Sequence, residues 1–202
     1  MPPAGDEPAR VPWGLICLAL LGIVIVLLAG VYFYQAEEDR IKEDAVSDLT
    51  AIALLKTGQI ADWRNDQLYH ARVVSASSFF VLGAERFIAS PNDADREMIL
   101  TRFREMNSSR HYRNILLVDP QGEVRLSLDP SVGSVHDTVK QDLPVVLKTG
   151  EATLTEFHVI PGTMHPHLDL IAPLVTETDG VRTPVGAVVL AIDPADFLYP
   201  LV

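Results

Sequence analysis

The chain has 202 residues, with 27 acidic side chains against 16 Lys plus Arg and a net charge of −11 at pH 7. That balance, with no basic stripe, excludes a nucleic-acid partner, because a phosphate backbone is gripped by clustered cations. A single cysteine excludes an internal disulfide, and the chain beyond the first apolar run is long enough for one domain with its own core.

Residues 1–11 hold Pro2, Pro3 and Pro8 and read as a short disordered lead. Residues 12–34 read as a transmembrane helix. Within them, residues 13–33 form a run of 21 without a charge, enough at ~1.5 Å per residue to cross ~30 Å of hydrocarbon. Trp13 stands at one end and Tyr32 and Tyr34 at the other as interfacial aromatics. A signal peptide and a buried core helix are the alternatives. A signal peptide has a shorter apolar core and a small-x-small cleavage site, whereas this run ends in VYFYQAEE. Cys17 follows the bulky Leu15 and Ile16 and reads as a small residue in a lipid-facing helix, not as a lipid attachment point. Arg10 before the run and Arg40 and Lys42 after it nearly balance. The short amino end is assigned inside and the main domain outside.

Residues 35–110 form a long helical region. Ile41, Ala45, Leu49, Ile52 and Leu55 recur every three or four residues as one apolar stripe, continuing the membrane helix as a rod able to carry a displacement. That stripe faces either a core or a second copy in a homodimer. The acids of EEDRIKED sit beside Arg40 and Lys42 as an i,i+4 salt-bridge surface. Gly58 marks a stop. A second helical pattern then carries Leu68, Ala71, Val74, Ser78, Leu82, Phe87 and Ile88 until Pro91, and a third, over residues 93–107, carries Met98, Ile99, Phe103 and Met106.

Residues 111–193 form the sheet region. ILLVD, the turn PQG and EVRLSLD read as an antiparallel hairpin, with Val124, Leu126 and Leu128 alternating with polar neighbours. Val135, Val139, Leu143 and Leu147 predict a helix ending at Gly150, kinked or restarted near Asp142 because Pro144 lacks a donor. Three strands are predicted next, over residues 152–160, 168–175 and 185–193, joined by the loops PGTMHPH and ETDGVRTP. The order predicts an α+β fold: the membrane helix and long helices, then a sheet of five antiparallel strands with helices on one face.

No GxxxxGK loop, GxSxG elbow or HExxH pair occurs, so neither enzyme activity nor a cofactor is expected of these residues. Two polar groups are candidate sites. His158, His165, His167 and Asp169 are a donor set suited to zinc or a similar ion, although their spacing fits no compact zinc motif and exposed loop histidines are the alternative. Tyr112, Arg113, Arg125 and His136 suit a small organic acid, arginine gripping the carboxylate and tyrosine adding an aromatic wall; surface ion pairing is the alternative.

The strings YQAEEDRIKEDAVSDLTAIALLKTGQIADWRND, YRNILLVDPQGEVRLSLD and GAVVLAIDPADFLYPLV resemble the extracytoplasmic Cache sensor domains, relatives of the PAS fold, of bacterial membrane receptors. The resemblance covers residues 34–202 and rests on no catalytic motif. It implies a small-molecule pocket between the sheet and the segment linking its hairpin to the last strands, and a ligand-driven movement of the membrane-linked helix within a dimer. It further implies that residues 194–202 begin the connection to a second subdomain. The parent would then be a sensor histidine kinase or a related PAS or diguanylate-cyclase protein. An interaction or assembly domain without a small ligand is the alternative function.

Overall fold

The computed structural model describes residues 13–110, 112–159 and 166–198. Two compact units divide the chain, Met1–Leu55 and Lys56–Val202. In the first, helix α1 (Trp13–Ser75) begins with a stretch whose described side chains from Leu20 to Tyr34 are all exposed to the surroundings. Its length and composition are those of a membrane span, where lipid covers such side chains. Trp13, Tyr32 and Tyr34 are exposed like the other described side chains of this stretch. Beyond the span, Lys42 reaches Glu38 at 2.6 Å in the expected i,i+4 pair, and Ile41, Leu49, Ile52 and Leu55 remain exposed.

Helix α1 runs through Gly58 without a stop. A glycine in a helix interior costs only about 1 kcal/mol relative to alanine, which helix formers on either side offset. The break falls instead at Ala76–Ser77, before α2 (Ser78–Ala89) and α3 (Asp93–Arg110). It resets the buried face. Leu68, Ala71 and Val74 are buried as predicted, but α2 buries Phe80, Val81, Ala84 and Phe87, leaving Ser78 and Leu82 exposed. In α3, Ile99 and Phe103 are fully buried, and Arg86 and Asn92 hold the Asp95 carboxylate, at 2.5 Å and 2.9 Å respectively.

The sheet comprises β1 (Asn114–Val118), β2 (Val124–Ser127), β3 (Thr153–Leu154), β5 (Pro166–Thr178) and β6 (Val181–Ile192), in the order β2-β1-β6-β5-β3, while β4 (His158–Val159) pairs with β5. Every pairing is antiparallel. The inner strand β1 is buried on both faces, which is why residues 115–118 read as an unbroken apolar run. β5 and β6 extend beyond their predicted ends because Asp179 and Gly180, with φ of 53° and 75°, close a two-residue turn between Thr178 and Val181. Two positive φ values define the type I′ turn that matches strand twist. The predicted strand over residues 152–160 is two short pieces, β3 and β4.

Helices cover both faces, not one. The end of α1 with α2 and α3 packs over Ile115, Leu117, Leu170 and Leu190. On the other face α4 (Asp137–Thr149) sets Val139, Leu143 and Val146 on Leu116, Ile171 and Val189. This helix is continuous through Pro144, and the buried apolar stripe supplies the compensation for one missing hydrogen bond. A short α5 (Pro194–Phe197) follows, its Ala195 N–H donating to the Asp193 carboxylate at 2.9 Å.

Candidate functional site

A cavity of about 100 Å³ opens between the sheet and the start of α4. Its apolar floor includes Leu116, Val139 and Val189, while Arg113, Asn114, Asp129, Ser134, His136 and Asp169 supply polar groups. Strand alternation explains the mixture: within β1 and β6, side chains on this face meet α4 and the others enter the helical core. Arg113 extends the β1 ladder, its N–H donating to the Ala191 carbonyl at 2.9 Å. Its guanidinium stands 3.7 Å from the Asp193 carboxylate and stays half exposed, a loose pair that leaves donors for a ligand. Asn114 is buried and fixes the wall. Its side-chain oxygen accepts the Asp129 N–H at 2.9 Å, and its amide donates to the Ser127 hydroxyl at 3.0 Å. Asp129 in turn accepts the Ser131 N–H and hydroxyl, which hold its carboxyl below the usual range.

His136, His158 and Asp169 converge at one end. His136 occupies the N-cap position of α4, yet its side chain makes no capping bond. Its Nδ1 instead lies 3.2 Å from Asp169 Oδ2 and 2.8 Å from His158 Nε2. His158 Nε2 is 3.4 Å from the same carboxylate oxygen. Asp169 is buried and its backbone is clamped to the β3–β4 connection: its N–H donates to the Thr155 hydroxyl at 2.9 Å, and its carbonyl accepts the Thr155 N–H at 2.8 Å. The bond to Asp169 raises the His136 pKa, outweighing desolvation. The adjacent His167 is pushed the opposite way by burial, with the Arg113 charge adding to it. Among the described residues, the buried His167 Nε2 has no hydrogen-bond partner.

The two predicted groups are thus partly exchanged. Arg113 and His136 line the cavity, and His136 joins His158 and Asp169. Tyr112 lies on the helical face, its hydroxyl 3.5 Å from Gln67 Oε1. Arg125 donates to the Ile88 carbonyl at 3.3 Å, away from the cavity. His165 lies outside the described residues. Asn114, Asp129 and Ser134 had not been singled out; only the polar string from Asp129 to Ser134 hinted at a structured wall. A second groove of about 420 Å³ crosses the helical face beside His70, Arg102 and Tyr112, but its Arg102 is already paired with Glu105 at 3.2 Å.

No family model matches the sequence. No curated protein matches it either. Solved structures do resemble the fold. The sensor domain of the V. cholerae histidine kinase DctB has a TM-score of 0.58 at 10% identity, the match covering 76% of this chain and 57% of that one. The ligand-binding domain of the Campylobacter jejuni chemoreceptor Tlp3, in complex with 4-methylisoleucine, gives 0.54 at 17% identity over 79% and 62%. That of the Pseudomonas aeruginosa amino acid chemoreceptor PctC, in complex with GABA, gives 0.52 at 16% identity over 78% and 68%. The chain spans less than two thirds of the first two. The chain therefore shares its fold with these sensor and ligand-binding domains, and it carries an N-terminal helix long and apolar enough to cross a membrane.

Proposed function

We propose that the chain is the membrane-anchored sensing module of a bacterial receptor, and that its folded unit, outside the inner membrane, takes a small organic acid in the cavity under α4. The observation that carries this reading is the cavity itself. It is a preformed cleft with a half-exposed arginine, fixed polar walls and an apolar floor, not a gap closed by apolar side chains. An assembly domain without a ligand has no use for such a cleft.

Arg113 is the anchor for the carboxylate, through two parallel N–H donors. The positive end of α4 faces the same space and favours an anion there. At about 100 Å³ the cleft suits a ligand of few heavy atoms, smaller than the ~300 Å³ typical of drug-sized sites. The bound compounds of the Tlp3 and PctC structures, 4-methylisoleucine and GABA, are small and carboxylate-bearing, in keeping with this class. Ligand binding shifts a two-state equilibrium by its differential affinity for the two states, and α1, continuous from the apolar stretch into the folded unit, carries the change within a homodimer. Output belongs to a kinase or cyclase module elsewhere in the parent.

A thermal-shift screen of small organic acids against the whole chain in detergent tests this. At least one acid is expected to raise the melting temperature of the wild type and not of Arg113→Ala. A screen without hits, or hits indifferent to Arg113, would overturn the assignment.

A further inference from the structure

We propose that His136, His158 and Asp169 form a binding site for one divalent transition-metal ion of the zinc class. The donor atoms make the case. His136 Nδ1, His158 Nε2 and Asp169 Oδ2 form a triangle with edges of 2.8, 3.2 and 3.4 Å. Tetrahedral zinc, with bonds of ~2.0–2.1 Å to imidazole nitrogen and carboxylate oxygen, spaces its donors ~3.3 Å apart. An ion ~2 Å from all three atoms would stand about 1 Å above their plane, as a tetrahedral centre with an open fourth position does. The 2.8 Å edge would open by about 0.5 Å to reach that spacing.

Three further features separate this from an accidental meeting of polar groups. First, the His158 ring is already set for metal. Its Nδ1 lies 3.2 Å from the Glu156 carbonyl, which can only accept, so Nδ1 carries the proton and Nε2 presents its lone pair to the centre. Metal-bound histidines are oriented in this way by a carbonyl or carboxylate on the far nitrogen. Thr138 Oγ1, 3.4 Å from the same nitrogen, adds a weaker contact. Second, the two rings are tilted and not stacked: their centroids are 4.6 Å apart with planes inclined by 58°, and His136 Nδ1 and His158 Nε2 approach to 2.8 Å. Third, the Asp169 side chain is only 3% exposed, and its two contacts at the centre are imidazoles, which carry no charge when neutral. A divalent ion would offset that buried carboxylate more fully than a protonated imidazole does, and two imidazoles with one carboxylate are a donor set that zinc accepts.

His136 and Asp169 also line the cavity, so an ion there would offer its open position to a ligand oxygen. The inference shares its cavity with the sensing proposal but stands on the three side chains alone.

The test uses the whole chain in detergent, without a polyhistidine tag, stripped with chelator and titrated calorimetrically with zinc chloride; cobalt(II) absorption reports the coordination geometry. One equivalent is expected to bind at micromolar or lower concentration, with a rise in melting temperature and tetrahedral cobalt bands. His136→Ala and Asp169→Asn should each weaken binding by at least about tenfold. His70→Ala, which removes a histidine paired with Asp66 elsewhere, should change nothing. His136 is partly exposed, so its alanine variant keeps the fold and decides the matter even if Asp169→Asn does not. Absence of zinc heat and cobalt bands, or binding unaffected by His136→Ala, would overturn the site. If an organic acid still binds through Arg113 in chelator while zinc does not bind, the metal site fails and the sensing proposal stands.

Discussion

Gly186→Ala tests the close packing of β6 against β1. Gly186 sits in β6 with φ of 151°, beside the irregularity where Leu174 pairs with Gly186 and Val175 with Pro184. A Cβ at this position would lie 2.1 Å from the Val118 carbonyl oxygen and 3.2 Å from Asp119 Cα, both backbone atoms of the neighbouring chain segment. A carbon and an oxygen need more than 3 Å, so β1 would have to retreat by about 1 Å, and no flexible side chain can yield instead. Holding a non-glycine residue at this φ costs about 1–3 kcal/mol, and forcing atoms into a packed interior costs a similar amount. The sum, about 2–6 kcal/mol, is a large share of the 5–15 kcal/mol typical of a domain. Urea unfolding followed through Trp63, which packs against the helical core, measures it in a Trp13→Phe background so that Trp13 does not contribute. Gly133→Ala, where nothing lies within 4 Å, is the control. If Gly186→Ala cost no more than Gly133→Ala, the close approach of β6 to β1 would be refuted.

Other perturbations probe the remaining layers. Phe103→Ala, removing a fully buried ring tilted against Phe80 at 6.3 Å, should lower stability by about 3–5 kcal/mol in the same assay, and a loss below 1 kcal/mol would contradict the helical core. Gly58→Ala should leave melting unchanged or raise stability by up to about 1 kcal/mol, because Gly58 lies inside α1 with open space around it; destabilisation would mean that the helix breaks there. The Asp95 carboxyl is held below its ordinary pKa first by Arg86 and then by Asn92. Its contribution is therefore complete above about pH 4, the unfolded value, and lost as pH falls through the lower folded one. Asp95→Asn should melt below the wild type at neutral pH, with a gap that narrows toward about pH 3; a gap independent of pH would contradict the pairing.

The hairpin at Asp119–Gly122 was legible because the chemistry is local: Asp119 accepts the Gln121 and Glu123 N–H groups at 3.0 Å, and Gly122 donates to the Asp119 carbonyl at 2.9 Å. The membrane-type helix and the α3 stripe were legible for the same reason, each being a periodicity within one segment. Gly58 misled because a weak propensity was read as a stop, while the serines flanking Ala76, which mark the true break, attracted no weight. The Asp179–Gly180 turn was present in the sequence but read as a longer loop, which shortened both flanking strands. The histidine site was only half legible. His136 lies 33 residues from Asp169 and 22 from His158, and no spacing rule joins them. The docking of α4 brings in His136, while the β4–β5 pairing, with His158 opposite His167, brings His158 to Asp169.

The most direct measurement is a crystal structure of the chain with an organic acid found in the thermal-shift screen. The account predicts the carboxylate against the Arg113 guanidinium, between the sheet and the first turn of α4. Density in the groove beside His70 and Tyr112, with the space at Arg113 vacant, would contradict it.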